Sequence, residues 1–247
     1  MYRGTTSSPS LLVPSRMSSL KSIIDWVKGL ELVKRGAESE IRIGPFMGIP
    51  AIYKLRVPKP YMHPKLAGML IEQRTRKEAK VIAHALGNGI PAPRLLAVFP
   101  SIGLIVMEYI RGVTLKDYAY KDPKGALVYS REAGSILAKL HMVGVAHGDP
   151  TTSNYIVTYS GGLKLIDYGL SDFTEDVEDK AVDVHLYRRA VESTHASIAT
   201  SMFESFLEGY KEVLGGEALK IIERAEEIRM RGRYVEERRR SVWRALS

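Results

Sequence analysis

The chain contains no cysteine at all. Disulfides, thiolate metal sites and cysteine nucleophiles are thereby excluded, and a reducing or very hot interior is compatible with the lack. Together with many arginines, this fits a hot-living archaeon. No apolar run approaches the roughly 18 residues a membrane span requires, so no membrane partner is expected. The first 19 residues, rich in Ser, Thr and Pro, hold no apolar stretch of signal-peptide length. They are expected to be disordered, with Met17 as an alternative start, in a cytoplasmic protein. Internal repeats are also missing. What is present is ordinary globular usage: 247 residues, 45% hydrophobic and 26% charged. That allows one large domain or two small lobes with a real core.

Acidic residues are in deficit, giving a net charge of +8 and favouring an anionic partner such as nucleotide, RNA or an acidic protein face. The excess is one-sided. From Ile228 to Ser247 seven arginines face only Glu236 and Glu237, so about +5 of the +8 lies in the last twenty residues. Arg229, Arg231 and Arg233 in this tail are candidates for meeting such an anionic partner; the plainer reading is a solvated helix end that favours cations.

Along the chain, Leu20–Leu32 reads as a short amphipathic helix running into a strand. Gly36 in LVKRGAESEI sits between strand-like pieces, and GIPAIYKLRV alternates like a strand. KPYMHPKLAGML, interrupted by proline, reads as a loop. A helix is predicted over roughly Leu70–Leu86, stopped by Gly87-Asn88-Gly89. IPAPRLLAVFP and GLIVMEYI follow as short strands. After Gly112 a helix is predicted over Lys124–Val143, then two short strands around a polar loop, then helix nearly to the end. A β-rich first part and α-rich second part predict an α+β, bilobal arrangement. The expected division is a disordered extension 1–19, a β-rich lobe 20–109, a helical lobe 110–230 and a basic tail 231–247.

The chemistry concentrates in HGDPTTSN, residues 147–154, and in LIDYGL. Asp149 and Asn154 lie five apart, and Asp167 follows thirteen later at the end of an apolar strand. Phosphoryl transfer uses one carboxylate to orient the acceptor and a carboxylate plus an amide as oxygen ligands for Mg²⁺ on the triphosphate. Asp-x₄-Asn followed by Asp-aromatic-Gly is that pattern. Such a reading calls for a strand lysine and a helix glutamate earlier in the chain. Lys54 in AIYKL and Glu78 in RTRKEAKVI fit, although alone Lys54 reads equally as an edge-strand lysine facing solvent and Glu78 as the usual solvated helix-face glutamate. Only KRGAES stands where a glycine-rich loop is expected, so Gly36, Ala37 and Glu38 are the candidates for offering backbone amides to phosphate. Glu108 to Ile110, in IVMEYIRG, are candidates for holding adenine through backbone groups. His141, His185 and His195 lack metal-ligand spacing.

HGDPTTSN, IDYGLSD, EDKAVDVHLYRRAVESTH, KRGAES and RTRKEA together resemble the small atypical kinase/ATPase of the KEOPS complex. This is the p53-related protein kinase family, which shares a minimal kinase fold with the RIO kinases. The resemblance spans roughly Leu30 to Arg233. It implies a bilobal protein-kinase-like fold, ATP and Mg²⁺ as cofactors, and Lys54 as the nucleotide lysine partnered by Glu78. Asp149 is implied as catalytic base, Asn154 and Asp167 as Mg²⁺ ligands, His147 as an orienting residue and Asp183 as a brace for the loop. The implied partners are the threonylcarbamoyl-transferase subunit, other KEOPS subunits and, through the complex, tRNA.

Three departures stand out. Pro150 replaces the family's usual leucine, and no lysine follows Asp149 within the loop. Only about ten residues separate Gly169 from Asp179, leaving no long activation segment to dock a peptide. The last two point to ATP hydrolysis rather than protein phosphorylation as the main task. A RIO-like or antibiotic-type phosphotransferase and a pseudokinase scaffold remain the competing readings.

Overall fold

A computed structural model describes the backbone over residues 20–58 and 61–246, and side chains over the same residues as far as 231. The expected disorder of residues 1–19 lies outside this range. The chain divides into two compact units, one running to Ala79 and again over Leu95–Tyr109, the other comprising Lys80–Arg94 and everything from Ile110 onward.

The first unit is built on a five-stranded antiparallel sheet. Its strands are β1 (Glu31–Arg35), β2 (Ser39–Phe46), β3 (Ile49–Arg56), β4 (Leu95–Phe99) and β5 (Leu104–Glu108), in the order β1-β2-β3-β5-β4. Alternation along the strands gives the sheet two apolar faces. Ala51, Tyr53 and Leu55 of β3 join Leu104 and Val106 of β5 under helix α1 (Leu20–Lys28), where Val27 is fully buried and the Trp26 ring meets Tyr53 edge-on. Ile105 and Met107 face the other way and cluster with Ala79 of helix α2 (Pro64–Gly87), together with Ile52. Lys54 and Arg56 share a side with Ile52 by the two-residue period, which turns two cations inward.

Helix α2 corrects the sequence reading, which left residues 59–70 as a loop. Pro64 opens the helix instead, because its missing N–H lies in the first turn, where no intrahelical bond is lost.

The second unit is mainly helical: α3 (Leu115–Lys121), α4 (Gly125–Met142), α5 (Val177–Thr194), α6 (Ala199–Leu214) and α7 (Glu217–Leu246). The pattern reading missed α3. Its signal is TLKD, in which Thr114 Oγ1 accepts from the Asp117 amide at 3.0 Å and donates to the Asp117 carboxylate at 2.8 Å. The unit also holds a three-stranded sheet, β6 (Gly112–Thr114), β8 (Tyr155–Thr158) and β9 (Leu163–Leu165), and a separate short pair formed by β7 (Val145–Ala146) and β10 (Asp172–Phe173). Tyr187 stacks on Phe206 at 4.0 Å within the buried core.

Candidate active site

The first unit supplies an ion cluster. Lys54 Nζ donates to Glu78 Oε1 at 2.6 Å, joining β3 to α2, and both side chains are buried. Arg56, two residues further along β3, donates through Nη2 to Glu78 Oε2 at 2.6 Å. The glutamate is thus gripped on both oxygens. Glu38 lies 3.8 Å from Arg56 Nη1 and accepts from Arg74 Nη1 at 2.6 Å. The turn between β1 and β2 is closed by the Gly36 amide, which donates to the Ser39 carbonyl at 2.8 Å. That amide is spent inside the turn, so a phosphate-facing role for KRGAES rests on Ala37 and Glu38. Glu108 ends β5 in the first unit, while Ile110 begins the second segment of the other unit.

The second unit holds the polar loop. Asp183 of α5 is fully buried and accepts the amides of His147 (2.6 Å) and Gly148 (2.8 Å) on its two oxygens. His141 Nε2 lies 3.0 Å from the same carboxylate, and its Nδ1 meets the Tyr210 hydroxyl at 2.7 Å. A carboxyl group taken out of water needs such hydrogen-bond partners to offset its lost hydration. His147 is itself buried, its Nε2 3.1 Å from the Ile166 carbonyl and its Nδ1 accepting the Asp149 amide at 3.3 Å. This pattern places the proton on Nε2. Burial pushes the His147 imidazole below its ordinary value, against the opposing pull of Asp183, Asp167 and Asp149.

The loop then turns on Pro150. Thr151 donates its amide to the Asp149 carbonyl at 2.9 Å and Asn154 donates to Thr151 at 2.8 Å. These bonds run through the residues flanking the proline, whose fixed φ suits so tight a turn. Asn154 Nδ2 reaches both the carbonyl and Oδ2 of Asp149, each at 2.9 Å. Its amide nitrogen being so occupied, Oδ1 is what Asn154 offers a cation. Ile166 donates its amide to the Asn154 carbonyl at 2.8 Å. The next residue, Asp167, takes the left-handed conformation (φ 63°, ψ 67°), strain that marks functional positions in a non-glycine residue.

These features recur in known proteins. A model of the ABC1 atypical kinase-like domain matches residues 72–204. Over 215 residues the chain is 39% identical to the KEOPS complex subunit Bud32 of Pyrococcus abyssi, an alignment covering 84% of this chain and 97% of that protein. The chain belongs to the Bud32 family. A longer relative, named a probable bifunctional tRNA threonylcarbamoyladenosine biosynthesis protein in Methanothermobacter thermautotrophicus, is 35% identical over 95% of this chain, which spans only 44% of its length. Among solved structures, the Rio2 kinase–ADP/Mg²⁺–phosphoaspartate complex of Chaetomium thermophilum superposes with a TM-score of 0.56 at 15% identity, covering 86% of this chain and 75% of that one. This likeness establishes a bilobal kinase-like fold.

In this Bud32-family chain the donor set suits magnesium. No group of three His, Asp or Glu side chains that could hold a metal exists among the described residues. An amide oxygen plus one carboxylate is the short protein contribution that Mg²⁺ accepts when phosphates and water complete its octahedron.

Sequence reasoning passed over Arg56, His141 and Tyr210. Arg56 had a signal, since YKLR puts it on the same side of β3 as Lys54. His141 was weighed only as a metal ligand, and its link to Asp183 across 42 positions leaves no local trace. In the tail, Arg229 pairs with Glu192 of α5 at 3.1 Å and Glu226 at 3.5 Å, and Arg231 lies 3.7 Å from Glu227. The side chain of Arg233 lies outside the described residues.

Proposed function

We propose that this chain binds MgATP and releases its γ-phosphate, mainly as an ATPase, within a KEOPS-type assembly that supports threonylcarbamoyladenosine formation in tRNA. The observation carrying the reading is the Asp149–Asn154 loop, fastened by Asp183 through two backbone amides. Its catalytic carboxylate is oriented from both sides, by His147 on its amide and by Asn154 on its side chain. A bound Mg²⁺ supplies charge neutralisation on the phosphate oxygens. Asn154 Oδ1 and the Asp167 carboxylate hold it, and the Lys54 ammonium, steadied by Glu78, receives phosphate. The Asp149 carboxylate orients the attacking water or hydroxyl and takes up its proton. Backbone groups of Ala37 and Glu38 cover the phosphates, and those of Glu108 and Ile110 receive the adenine.

Support for the assembly comes from the names and lengths of the relatives, one of which extends well beyond the matched region as a bifunctional protein. On this reading the threonylcarbamoyl-transferase subunit, other KEOPS subunits and tRNA are the partners, with Arg231 and Arg233 in contact with tRNA or that subunit. Among the described residues no helix is long and apolar enough to cross a membrane.

Slow Mg-dependent phosphate release is expected, faster with the transferase subunit and tRNA. Asp149→Ala and Asp167→Ala should each lower it at least about a hundredfold, the lower range for losing a proton acceptor or a positioned charge. Unchanged release in both variants rules the mechanism out. If both also sustain tRNA modification in the reconstituted assembly, the protein is a scaffold.

A further inference from the structure

We propose that Arg56 is a positioning residue for the nucleotide lysine, and that Glu38 and Arg74 extend its hold to the turn at Gly36. The inference rests on the MgATP reading above. Lys54 and Arg56 each sit 2.6 Å from one oxygen of Glu78. A carboxylate held on one oxygen keeps a freely turning outer torsion; held on both, its plane is fixed. Lys54 spends one of its three donor directions on Glu78, so the orientation of that carboxylate dictates where the ammonium points. Arg56 therefore acts on Lys54 through Glu78.

Stability is a poor account of this cluster. Lys54, Arg56 and Glu78 are 5%, 7% and 2% exposed. Charges so deep lose hydration that their attraction barely repays, and apolar residues of similar size would serve as well. Arg56 Nε is, in addition, buried with no acceptor among the described residues, which adds the cost of an unmade bond. Retaining a cation there is explained by what it orients.

The outer part of the network has a different character. Glu38 is bonded to Arg74 at 2.6 Å with side chains 39% and 50% exposed, and it lies 3.8 Å from Arg56. Its carbonyl also accepts the Val57 amide at 3.1 Å. The acidic residue of the β1–β2 turn is thereby fastened by its backbone to the residue that follows β3 and by its side chain to α2. Where kinases use a glycine-rich loop, this chain fixes a turn holding one glycine with an ion network. A cavity of about 230 Å³ lies beside Glu38, Arg56 and Arg74. Salt from solution should therefore screen the exposed outer pair and leave the buried trio unaffected.

The test uses the full chain and two readouts, the Kd for MgADP by calorimetry and the KM and kcat of phosphate release. Arg56→Met should weaken MgADP binding and raise KM about tenfold, a coupling normal for residues sharing one ion network, with Arg56→Lys recovering most of the loss. Glu38→Gln should raise Kd about threefold at low salt, with the difference fading at high salt. Lys54→Met separates the two claims. If it weakens MgADP binding while folded Arg56→Met does not, the positioning role is wrong and the nucleotide reading stands. If Lys54→Met has no effect, the nucleotide reading fails and takes the inference with it. Should Arg56→Met not fold, Glu38→Gln and Arg74→Gln decide: nucleotide affinity unchanged in both at low salt overturns the proposal.

Discussion

Asp167 and Gly148 occupy backbone conformations that side chains resist, and each does so beside the candidate chemistry. Gly148 has φ +81°, and a Cβ there would come within 2.6 Å of the Leu170 carbonyl oxygen. Asp167 bears its left-handed φ with a side chain, at a cost of about 1 kcal/mol. Asp167→Gly is therefore expected to lose phosphate release while its thermal midpoint does not fall; a lower midpoint would mean that the carboxylate stabilises the fold. His147 adds a pH dependence. Its pKa is below 6.5 in the fold because of burial, so the unfolded chain binds the proton more readily. Its contribution is fully present above about 6.5 and is lost as pH falls through the lower, folded value. His185 and His195 are shifted in the same direction by burial. Thermal midpoints followed from pH 7.5 down to 5 should decline, and His147→Gln should flatten the part of that decline owed to this ring. An identical decline in the variant would remove His147 from the account. At this scale, Asp149, Asn154 and Asp167 stood out in the sequence as candidates because phosphoryl transfer calls for those residue types at close spacing. His141 and Tyr210 were not, because only folding brings them to Asp183.

Helices α4 and α6 approach each other backbone to backbone. A Cβ on Gly134 would stand 1.9 Å from the Phe206 carbonyl oxygen, and one on Gly209 the same distance from that of Arg131. Ser135 Oγ also donates to the Gly209 carbonyl at 3.2 Å. Neither glycine can be replaced without moving a helix. Gly134→Ala and Gly209→Ala are each expected to cost about 3 kcal/mol, the upper range for overpacking, because the obstruction is main chain. Denaturant melts check this, and a loss below about 0.5 kcal/mol, the scale of an ordinary surface change, would refute the close approach. Helix periods and stop signals made α2 and α4 readable, and strand alternation made β3 readable. The start of α2 was hidden because Pro64 follows other prolines and looks like more of the same loop. α3 was hidden because seven residues are too few to show a period.

Across the whole molecule, charge has two uses. Arginines of α7 are tied to glutamates of α5, as in the pairs Arg224–Glu178 and Arg229–Glu192. The excess of arginine towards the C-terminus is therefore partly structural, which tempers the expectation drawn from net charge alone. The remaining positive charge favours an anionic partner. The α+β, bilobal arrangement was legible from the β-rich then α-rich order, and its kinase-like class only from the resemblance carried by motifs such as HGDPTTSN and IDYGLSD. The network around Glu78 was only half legible, since sequence suggested one cation for that carboxylate and the fold supplies two.

One Mg-dependent phosphate release is proposed to depend on both Asp149 and Lys54. That dependence is tested most directly by measuring phosphate released from MgATP by the wild-type chain, Asp149→Asn and Lys54→Met, each with the transferase subunit and tRNA present. The expected results are release by the wild type, loss of at least about a hundredfold in Asp149→Asn, and a raised KM together with a lowered kcat in Lys54→Met. Equal release by all three proteins would contradict it.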